Sequence, residues 1–226
     1  MLGVLVNFAA IIVGAIVGIL FKRGMSERLS KSITTAVALA VVYIGIDGML
    51  SGENTLVLVL SMVIGSLIGT LLDLDARLEK LGNWLESKFS NKAEKGTIAK
   101  GFISASLLFC VGAMAIVGSL QSGLLGNHEM LFAKSILDFV SSVVLASALG
   151  MGVVFSAFPV LILQGLVAIL ARFVAPFLSE YVVNEMTCAG SVLILALGLN
   201  LLGITKIKMM NYVPAIFLPI LLCMFM

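Results

Sequence analysis

The sequence has few charged residues: lysine, arginine, aspartate and glutamate together make up 12% of its 226 residues. A soluble domain needs roughly a quarter of its residues charged to cover its surface. Hydrophobic residues account for 61% of the chain, and its mean hydropathy is +1.19. The composition therefore excludes a soluble globular protein and predicts a protein embedded in a membrane.

Histidine and cysteine are also scarce. There is one histidine, His128, and the cysteines Cys110, Cys188 and Cys223 all fall in apolar runs. The sequence contains no Cys-x-x-Cys pair, His-Glu-x-x-His motif, phosphate-binding loop or Ser/His/Asp triad pattern. We therefore expect no metal site, no disulfide framework, no cofactor and no enzymatic activity. Lysine and arginine cluster at the ends of apolar runs, which disfavours nucleic-acid binding.

Long apolar runs are what the sequence has in abundance, and several approach the roughly 20 residues needed to cross a bilayer core. We predict an all-α polytopic protein of seven to eight spans that forms a single integral membrane domain over residues 1–226. The predicted spans are 2–21, 33–50, 55–72, 101–120, 134–149, 152–175, 187–204 and 211–226. The sixth should kink at Pro159, which has no amide hydrogen to donate. The fifth and sixth could instead form a re-entrant hairpin.

The basic residues give these spans a direction. If the N-terminus lies outside and eight spans alternate, only Lys134 and Arg172 of the 14 lysines and arginines fall in outer loops. Cytoplasmic loops are enriched in positive charge, so this arrangement obeys the positive-inside rule. The longest polar section, 74–98, then lies in the cytoplasm. Its leucines share one helical face and its charges the other, which predicts an amphipathic helix followed by a loop.

A weak self-similarity predicts an inverted repeat formed by residues 1–73 and 149–226. The second span matches the seventh, so that Gly45 aligns with Gly198 and Asp47 with Asn200. Inverted repeats are typical of secondary transporters, whose binding sites lie where the two repeats meet. The alternative is coincidence, because any two spans rich in alanine, glycine, leucine and valine align tolerably.

The stretch 134–164 carries the strongest functional signal. On a helix, Asp138, Ser142, Ala146 and Gly150 recur every four residues and form one polar-to-small stripe. An unpaired carboxylate in hydrocarbon costs several kcal/mol, so the stripe cannot face lipid. It must face protein or a water-filled cavity.

Asp138 has two interpretations. It can form a local ion pair with Lys134 at the membrane surface, because the two are four residues apart. It can instead bind a proton or a cation, with Ser141 or Ser142 supplying hydroxyl oxygens, which suit a hard cation such as sodium. The candidate ion or solute pathway comprises Asp138, Ser141, Ser142, Gly150, Gly152, Gln164, Cys110, Gly112, Ser119, Asn7, Asp47 and Asn200.

Some of these candidates have a structural alternative. Asp47 lies close to a span end, and Asn7, Gln164 and Asn200 could each serve as interhelical hydrogen-bonding groups. Ridges of small residues recur at four-residue spacing in the first and third spans, a pattern that permits close helix contact within the fold or between subunits. With so short a chain, we expect a homodimer. The ridge residues are Ala10, Gly14, Gly18, Ser61, Gly65 and Gly69.

The fourth span resembles a known family. The run Phe109–Ser119, followed by Gln121, is similar to a characteristic run of the bacterial inner-membrane family called domain of unknown function 554. One departure is Ala113, where the family pattern has a proline. Three further elements resemble the family: Gly3-x-x-x-Asn7, Lys134-Ser135-x-x-Asp138 and Gly150-x-Gly152-x-x-Phe155-Ser156-Ala157-x-Pro159.

This resemblance covers essentially the whole chain. It implies a polytopic membrane protein of a kind commonly described as a transport protein, and it implies no particular substrate. With the residues above, it predicts a small secondary transporter or facilitator for an ion or small polar solute in a bacterial inner membrane. The alternatives are an ion channel lined by the same serines and glycines, and a non-transporting scaffold or sensor that uses the amphipathic segment.

Overall fold

A computed structural model describes residues 1–22, 26–77, 80, 84 and 97–225, and within these ranges the chain forms helices and turns without strands. The all-α polytopic fold is confirmed. The helices are α1 (Leu2–Lys22), α2 (Glu27–Met49), α3 (Thr55–Leu71), α4 (Thr97–Cys110), α5 (Ala113–Leu124), α6 (Glu129–Leu149), α7 (Gly152–Phe155), α8 (Ala157–Ile169), α9 (Ala171–Val174), α10 (Glu180–Leu201) and α11 (Leu218–Leu222), with 3-10 turns at Ala175–Phe177 and Met209–Ile216.

Five segments of the described chain are long and apolar enough to cross a membrane: α1, most of α2, α6, α7 with α8, and α10. The pair α4 and α5 makes a sixth if it is one bent span. Two further apolar segments, α3 and Met209–Leu222, are shorter. Each of the eight predicted spans thus corresponds to an apolar helical unit, and five or six of these units have spanning length.

Two predicted spans are interrupted. The fourth, predicted as continuous, bends by 61° between α4 and α5. Gly112 lies at this bend with φ +126°, a conformation that residues with a Cβ rarely adopt. The kink assigned to Pro159 lies slightly earlier, at Ser156, between α7 and α8. Pro159 has no amide to bond the Phe155 carbonyl one turn before it, so the helix breaks there.

The two last predicted spans differ from the structure at their ends. Helix α10 begins at Glu180, not near 187, because the Ser179 hydroxyl accepts a hydrogen bond from the Val182 amide, at 3.3 Å, and caps the helix. The region predicted as the eighth span is a 3-10 turn followed by the short α11. Pro214 and Pro219 prevent a continuous α-helix there.

The ridge of small residues in α1 packs against the backbone of α6. A Cβ on Gly14 would lie 2.5 Å from the carbonyl oxygen of Phe139, and one on Gly18 would overlap the carbonyl of Val143. Only glycine permits such an approach. Residue numbers at successive contacts increase along both helices, so α1 and α6 are parallel. The polar-to-small stripe of α6 therefore faces α1.

Helix α2 crosses α10 in the opposite sense. A Cβ on Gly45 would lie 2.5 Å from the Leu195 amide nitrogen, and one on Gly198 would lie 2.9 Å from the Val42 amide nitrogen. Residue numbers at successive contacts increase along α2 while they decrease along α10, so the two helices are antiparallel. The two contacts are reciprocal under the repeat alignment, which equates Gly45 with Gly198 and Val42 with Leu195.

The third-span ridge is also used inside the chain. A Cβ on Gly65 would lie 2.5 Å from the Ala215 amide nitrogen, and one on Gly69 would overlap the Asn211 carbonyl. Helix α3 and the C-terminal segment are therefore antiparallel. Eight alternating spans would produce these same relative directions. They would make α1 and α6 parallel, and they would make α2 antiparallel to α10 and α3 antiparallel to the C-terminal segment.

These contacts place three basic residues at one end of the bundle. The Lys22 ammonium lies 3.0 Å from the position of a Cβ on Gly150, and Gly101 packs against Leu149. Lys100 and Lys206 line one pocket. The opposite end contains Met1, whose amino group donates to the Ser122 hydroxyl at 3.3 Å.

Most of the predicted amphipathic segment 74–98 lies outside the described residues. Its first turn, 74–77, is helical and follows α3 directly. The Asp75 amide donates to the Asn211 side-chain oxygen at 2.9 Å, which ties this turn to the C-terminal segment.

The α1–α6 contact can be tested by adding volume to it. Gly14→Val should lower the free energy of unfolding by about 1–3 kcal/mol, because its side chain would enter the backbone of α6. Val13→Ile adds a methylene group on the neighbouring, exposed position and should leave stability unchanged. Thermal denaturation of both detergent-purified variants measures the difference. Equal melting temperatures would contradict the packing described.

Candidate functional site

Lys134 and Asp138 form an ion pair in the interior of the helix bundle. The Lys134 ammonium lies 2.8 Å and 2.6 Å from the two carboxylate oxygens of Asp138. Their residues are 6% and 5% exposed, respectively. The local ion pair that the sequence allows is therefore formed, and the surrounding helices enclose its lysine, which does not extend to water.

Two amide side chains from other helices complete the cluster. The side-chain nitrogen of Asn7, on α1, donates to the Asp138 carboxylate at 3.0 Å. The same nitrogen donates to the side-chain oxygen of Gln164, on α8, at 3.2 Å. The carboxylate needs a donor, so it fixes which end of the Asn7 amide faces it, and Asn7 in turn fixes the orientation of Gln164.

This cluster has hydrogen-bonding capacity to spare. The side-chain oxygen of Asn7, the side-chain nitrogen of Gln164 and the Ser142 hydroxyl are buried without a partner within the described chain. Asn7, Gln164 and Ser142 are each no more than 1% exposed. Buried polar groups normally find partners, and leaving one unmatched costs about 1–3 kcal/mol. Unmatched groups beside a buried ion pair are what a site for a small polar ligand provides.

The cluster can bind two kinds of ligand. The Lys134 ammonium occupies the position at which a cation would contact Asp138, so a metal cation or another ammonium can bind there only by displacing it. A neutral polar solute can instead use the free acceptor of Asn7 and the free donor of Gln164 while the ion pair stays formed. Both modes use the same three helices.

The structure joins Asn7, Asp138 and Gln164 by hydrogen bonds. Ser142 lies one helical turn from Asp138 and faces Gly14 of α1, and the other predicted site residues have different surroundings. Ser141 is half-buried on α6. Gly150 ends α6 with φ +75°, and Gly152 packs against the α4 backbone at Ile98. Both glycines lie at the basic end of the bundle, away from the cluster. Gly150 thus makes a turn and Gly152 permits close helix packing. The sequence alone did not distinguish these functions from a place in the pathway.

Three further candidates are also separate from the cluster. Ser119 is buried and donates to the Ala115 carbonyl of its own helix at 2.6 Å. Asp47 is exposed near the end of α2, as its helix-end alternative predicts. Asn200 lies at the basic end, where its side chain bonds the loop that follows α10.

Comparison with known proteins gives the family. DUF554, described as a protein family of unknown function, matches residues 2–224. The chain belongs to DUF554. It is 33% identical over 223 residues to the uncharacterized membrane protein YdfK of Bacillus subtilis, covering 97% of this chain and 94% of that protein. It is 30% identical over 224 residues to the uncharacterized protein YqgA of Escherichia coli, covering 96% and 94%. No solved structure matches the chain.

The fourth-span run that resembles DUF554 lines an apolar cavity of about 390 Å³ between α4, α8, α10 and the C-terminal segment. Cys110 lies in its wall. The remaining wall is almost entirely hydrocarbon, including Pro159, Met186 and Phe217. Ser106 and Cys110 are the polar side chains among the described lining residues, and neither carries a charge, so this cavity is not the candidate ion site.

The DUF554 chain contains a second buried acid that sequence reasoning missed. Glu185 is 1% exposed, and one carboxylate oxygen accepts hydrogen bonds from the amides of Glu53 and Asn54, at 2.7 Å and 2.8 Å. It thereby holds the start of α3 against α10. The predicted seventh span, 187–204, begins two residues after Glu185 and so leaves it outside the helix. The capping residue Ser179, followed by Glu180, was the available signal.

The ion pair can be tested by a double-mutant cycle. Lys134→Gln and Asp138→Asn should each lower the free energy of unfolding by about 3–5 kcal/mol, because each leaves one buried charge without its partner. The double variant leaves no buried charge, so its loss should be clearly smaller than the sum. Detergent unfolding curves of the four proteins measure the coupling.

Charge changes at exposed positions provide the control for this cycle. Asp47→Asn and Arg172→Gln alter groups that the structure leaves exposed, and they should change stability little, alone or together. Additive losses for Lys134→Gln and Asp138→Asn would mean that the two charges do not interact.

Proposed function

We propose that this DUF554 protein is a secondary transporter or facilitator for an ion or a small polar solute, and not an enzyme. The observation that carries the proposal is the buried Lys134–Asp138 pair, with amides from α1 and α8 and three unmatched polar atoms around it. Ionisable groups at membrane depth are costly and are typical of ion and substrate pathways. A protein that only needed stable helix contacts could use apolar and small residues at these positions.

The burial of the cluster favours a carrier over a channel. Asn7, Lys134, Asp138 and Gln164 are at most 6% exposed, so the site is closed to both ends of the bundle. A conducting pore needs a continuous path for ions, whereas a carrier passes through states in which the site is occluded. A closed polar site is therefore better matched to alternating access.

The helix arrangement supports an inverted repeat as part of this proposal. Helices α2 and α10 meet through the aligned pair Gly45 and Gly198 in a reciprocal, antiparallel contact. A two-fold relation between units of opposite direction produces such a contact. In carriers built this way, one repeat moves against the other and exposes the site to alternate sides.

The distribution of charge supports an orientation in a bacterial cytoplasmic membrane. Lys22, Lys100 and Lys206 share one end of the bundle, and the positive-inside rule assigns that end to the cytoplasm. The N-terminal end of α1 then faces outward. We also propose a homodimer. Its interface must use exposed faces, since the glycine ridges of α1 and α3 are occupied within the chain.

The transport proposal can be tested by ligand-dependent stability. Wild-type protein, Asp138→Asn and Asp47→Asn are melted in detergent with sodium, lithium, potassium, magnesium, chloride and a panel of small metabolites. A ligand that binds only the folded state stabilises it, by about 2.7 kcal/mol at a concentration of 100 times its dissociation constant. We expect one ligand class to raise the melting temperature of the wild type and of Asp47→Asn, but not of Asp138→Asn.

A ligand identified in this way is then assayed for flux into proteoliposomes. Saturable uptake that Asp138→Asn abolishes and Asp47→Asn preserves would support the carrier. Single-channel currents through the wild type would point to the channel instead. No ligand-dependent shift of the melting temperature in any of the three proteins would contradict both and favour a scaffold or sensor.

The orientation is tested by thiol labelling in a background in which Cys110, Cys188 and Cys223 are replaced by alanine. Asn127→Cys and Lys208→Cys each introduce one exposed cysteine, at opposite ends of the bundle. An impermeant maleimide should label Asn127→Cys in intact spheroplasts, and Lys208→Cys only after permeabilisation. The reverse pattern would place the N-terminal end of α1 in the cytoplasm.

A further inference from the structure

A second pocket, lined by polar and apolar side chains together, lies at the basic end of the bundle, apart from the candidate transport site. It has a volume of about 260 Å³ and lies between the first turns of α4 and the loop after α10. Lys100 and Ser104 line it from α4, and Lys206 lines it from the loop after α10. None of the described residues that line it is acidic, so the two lysine charges have no carboxylate partner among them.

Asn200 builds the loop that carries one of these lysines. Its side-chain oxygen accepts hydrogen bonds from the Thr205 hydroxyl at 2.6 Å and from the Ile207 amide at 3.0 Å. Its side-chain nitrogen donates to the Ile207 carbonyl at 2.8 Å. Gly203 makes the turn between them with φ +77°. The loop is therefore fixed, and Lys206 is held on the same pocket as Lys100.

The pocket also contains an unmatched polar group. Ser104 is 1% exposed, and its hydroxyl has no hydrogen-bond partner within the described chain. The Asn200 side chain does not bond it, and both ends of that amide bond the loop instead. Two ammonium groups and one spare hydroxyl form a set of donors that suits an anion with several oxygens.

The apolar part of the wall narrows the choice of anion. Ile103, Leu197 and Met209 lie beside the donors. A ligand that fills this pocket thus has an anionic, oxygen-rich end and an apolar part next to it. Basic pockets between helices at the cytoplasmic membrane surface bind lipid phosphates in this way.

We propose that this pocket binds a phosphate ester, and that an anionic phospholipid of the surrounding membrane supplies it through its headgroup. Lys100 and Lys206 neutralise the phosphate, Ser104 donates to one of its oxygens, and the acyl chains follow the apolar wall. Asn200 is a positioning residue for this site and does not belong to the transport pathway. The site does not depend on the carrier function proposed above.

The test is lipid binding by the full chain, measured by native mass spectrometry during titration with phosphatidylglycerol in detergent. The variant pair Lys100→Gln/Lys206→Gln should bind the lipid about 30-fold more weakly, since each lysine near an anionic lipid contributes about 1 kcal/mol and 1.4 kcal/mol is tenfold. Lys31→Gln/Lys208→Gln removes the same charge from exposed positions outside the pocket and should bind like the wild type. Phosphatidylcholine serves as the zwitterionic reference lipid.

Each outcome decides the proposal. Equal loss of phosphatidylglycerol binding in both lysine pairs would overturn it, because the effect would then follow net charge and not the pocket. Competition by millimolar inorganic phosphate without any preference for phosphatidylglycerol would assign the site to a soluble phosphate. Ser104→Ala keeps both lysines and should still weaken lipid binding if the pocket is the site, even where the double lysine variant fails to fold.

Discussion

A buried charge pair that lies out of reach of water constrains much of this structure. Neither Lys134 nor Asp138 could be placed alone in the interior of a membrane protein, because an unpaired charge there costs several kcal/mol. The ammonium contacts both carboxylate oxygens, and Asn7 donates a further hydrogen bond to the carboxylate from α1. The same Asn7 nitrogen also donates to the Gln164 side-chain oxygen, which brings α8 to the cluster. One ion pair on α6 thereby fixes the relative positions of three helices.

The cluster can form only because the backbones of α1 and α6 touch. Gly14 and Gly18 remove the side chains that would hold the two helices apart, and the parallel register brings Asn7 level with Asp138. The same device recurs where α2 crosses α10 and where α3 meets the C-terminal segment. Small residues thus act as packing elements, and the polar groups that they bring together form the candidate site. Packing and function are linked by the distance between backbones.

The two ends of the bundle have different chemistry, and each is held by side chains that bond loops. Glu185 holds the start of α3 at one end, and Asn200 holds the loop after α10 at the other. The closed polar cluster lies between them. A carrier needs a rigid frame around a site that opens to alternate sides, and these buried or half-buried capping groups stiffen the ends while leaving the cluster itself only partly satisfied. The pocket proposed to bind a lipid phosphate belongs to one such end.

The sequence by itself determined the class of protein, the helical units, the charge asymmetry of the ends and the importance of Asp138, because hydropathy, helical period and the cost of buried charge are local properties. It also suggested Asn7 and Gln164 without showing that they bond each other, and Ser142 without showing that it faces α1. Only the tertiary structure decided that Lys134 turns inward, that Asn200 and Asp47 lie apart from the site, and that Glu185 is buried. Those outcomes depend on which helices touch and in which register, and single-chain periodicity cannot supply that information. A glycine ridge in the sequence indicates that another helix packs closely against it. Only the fold determines which helix that is.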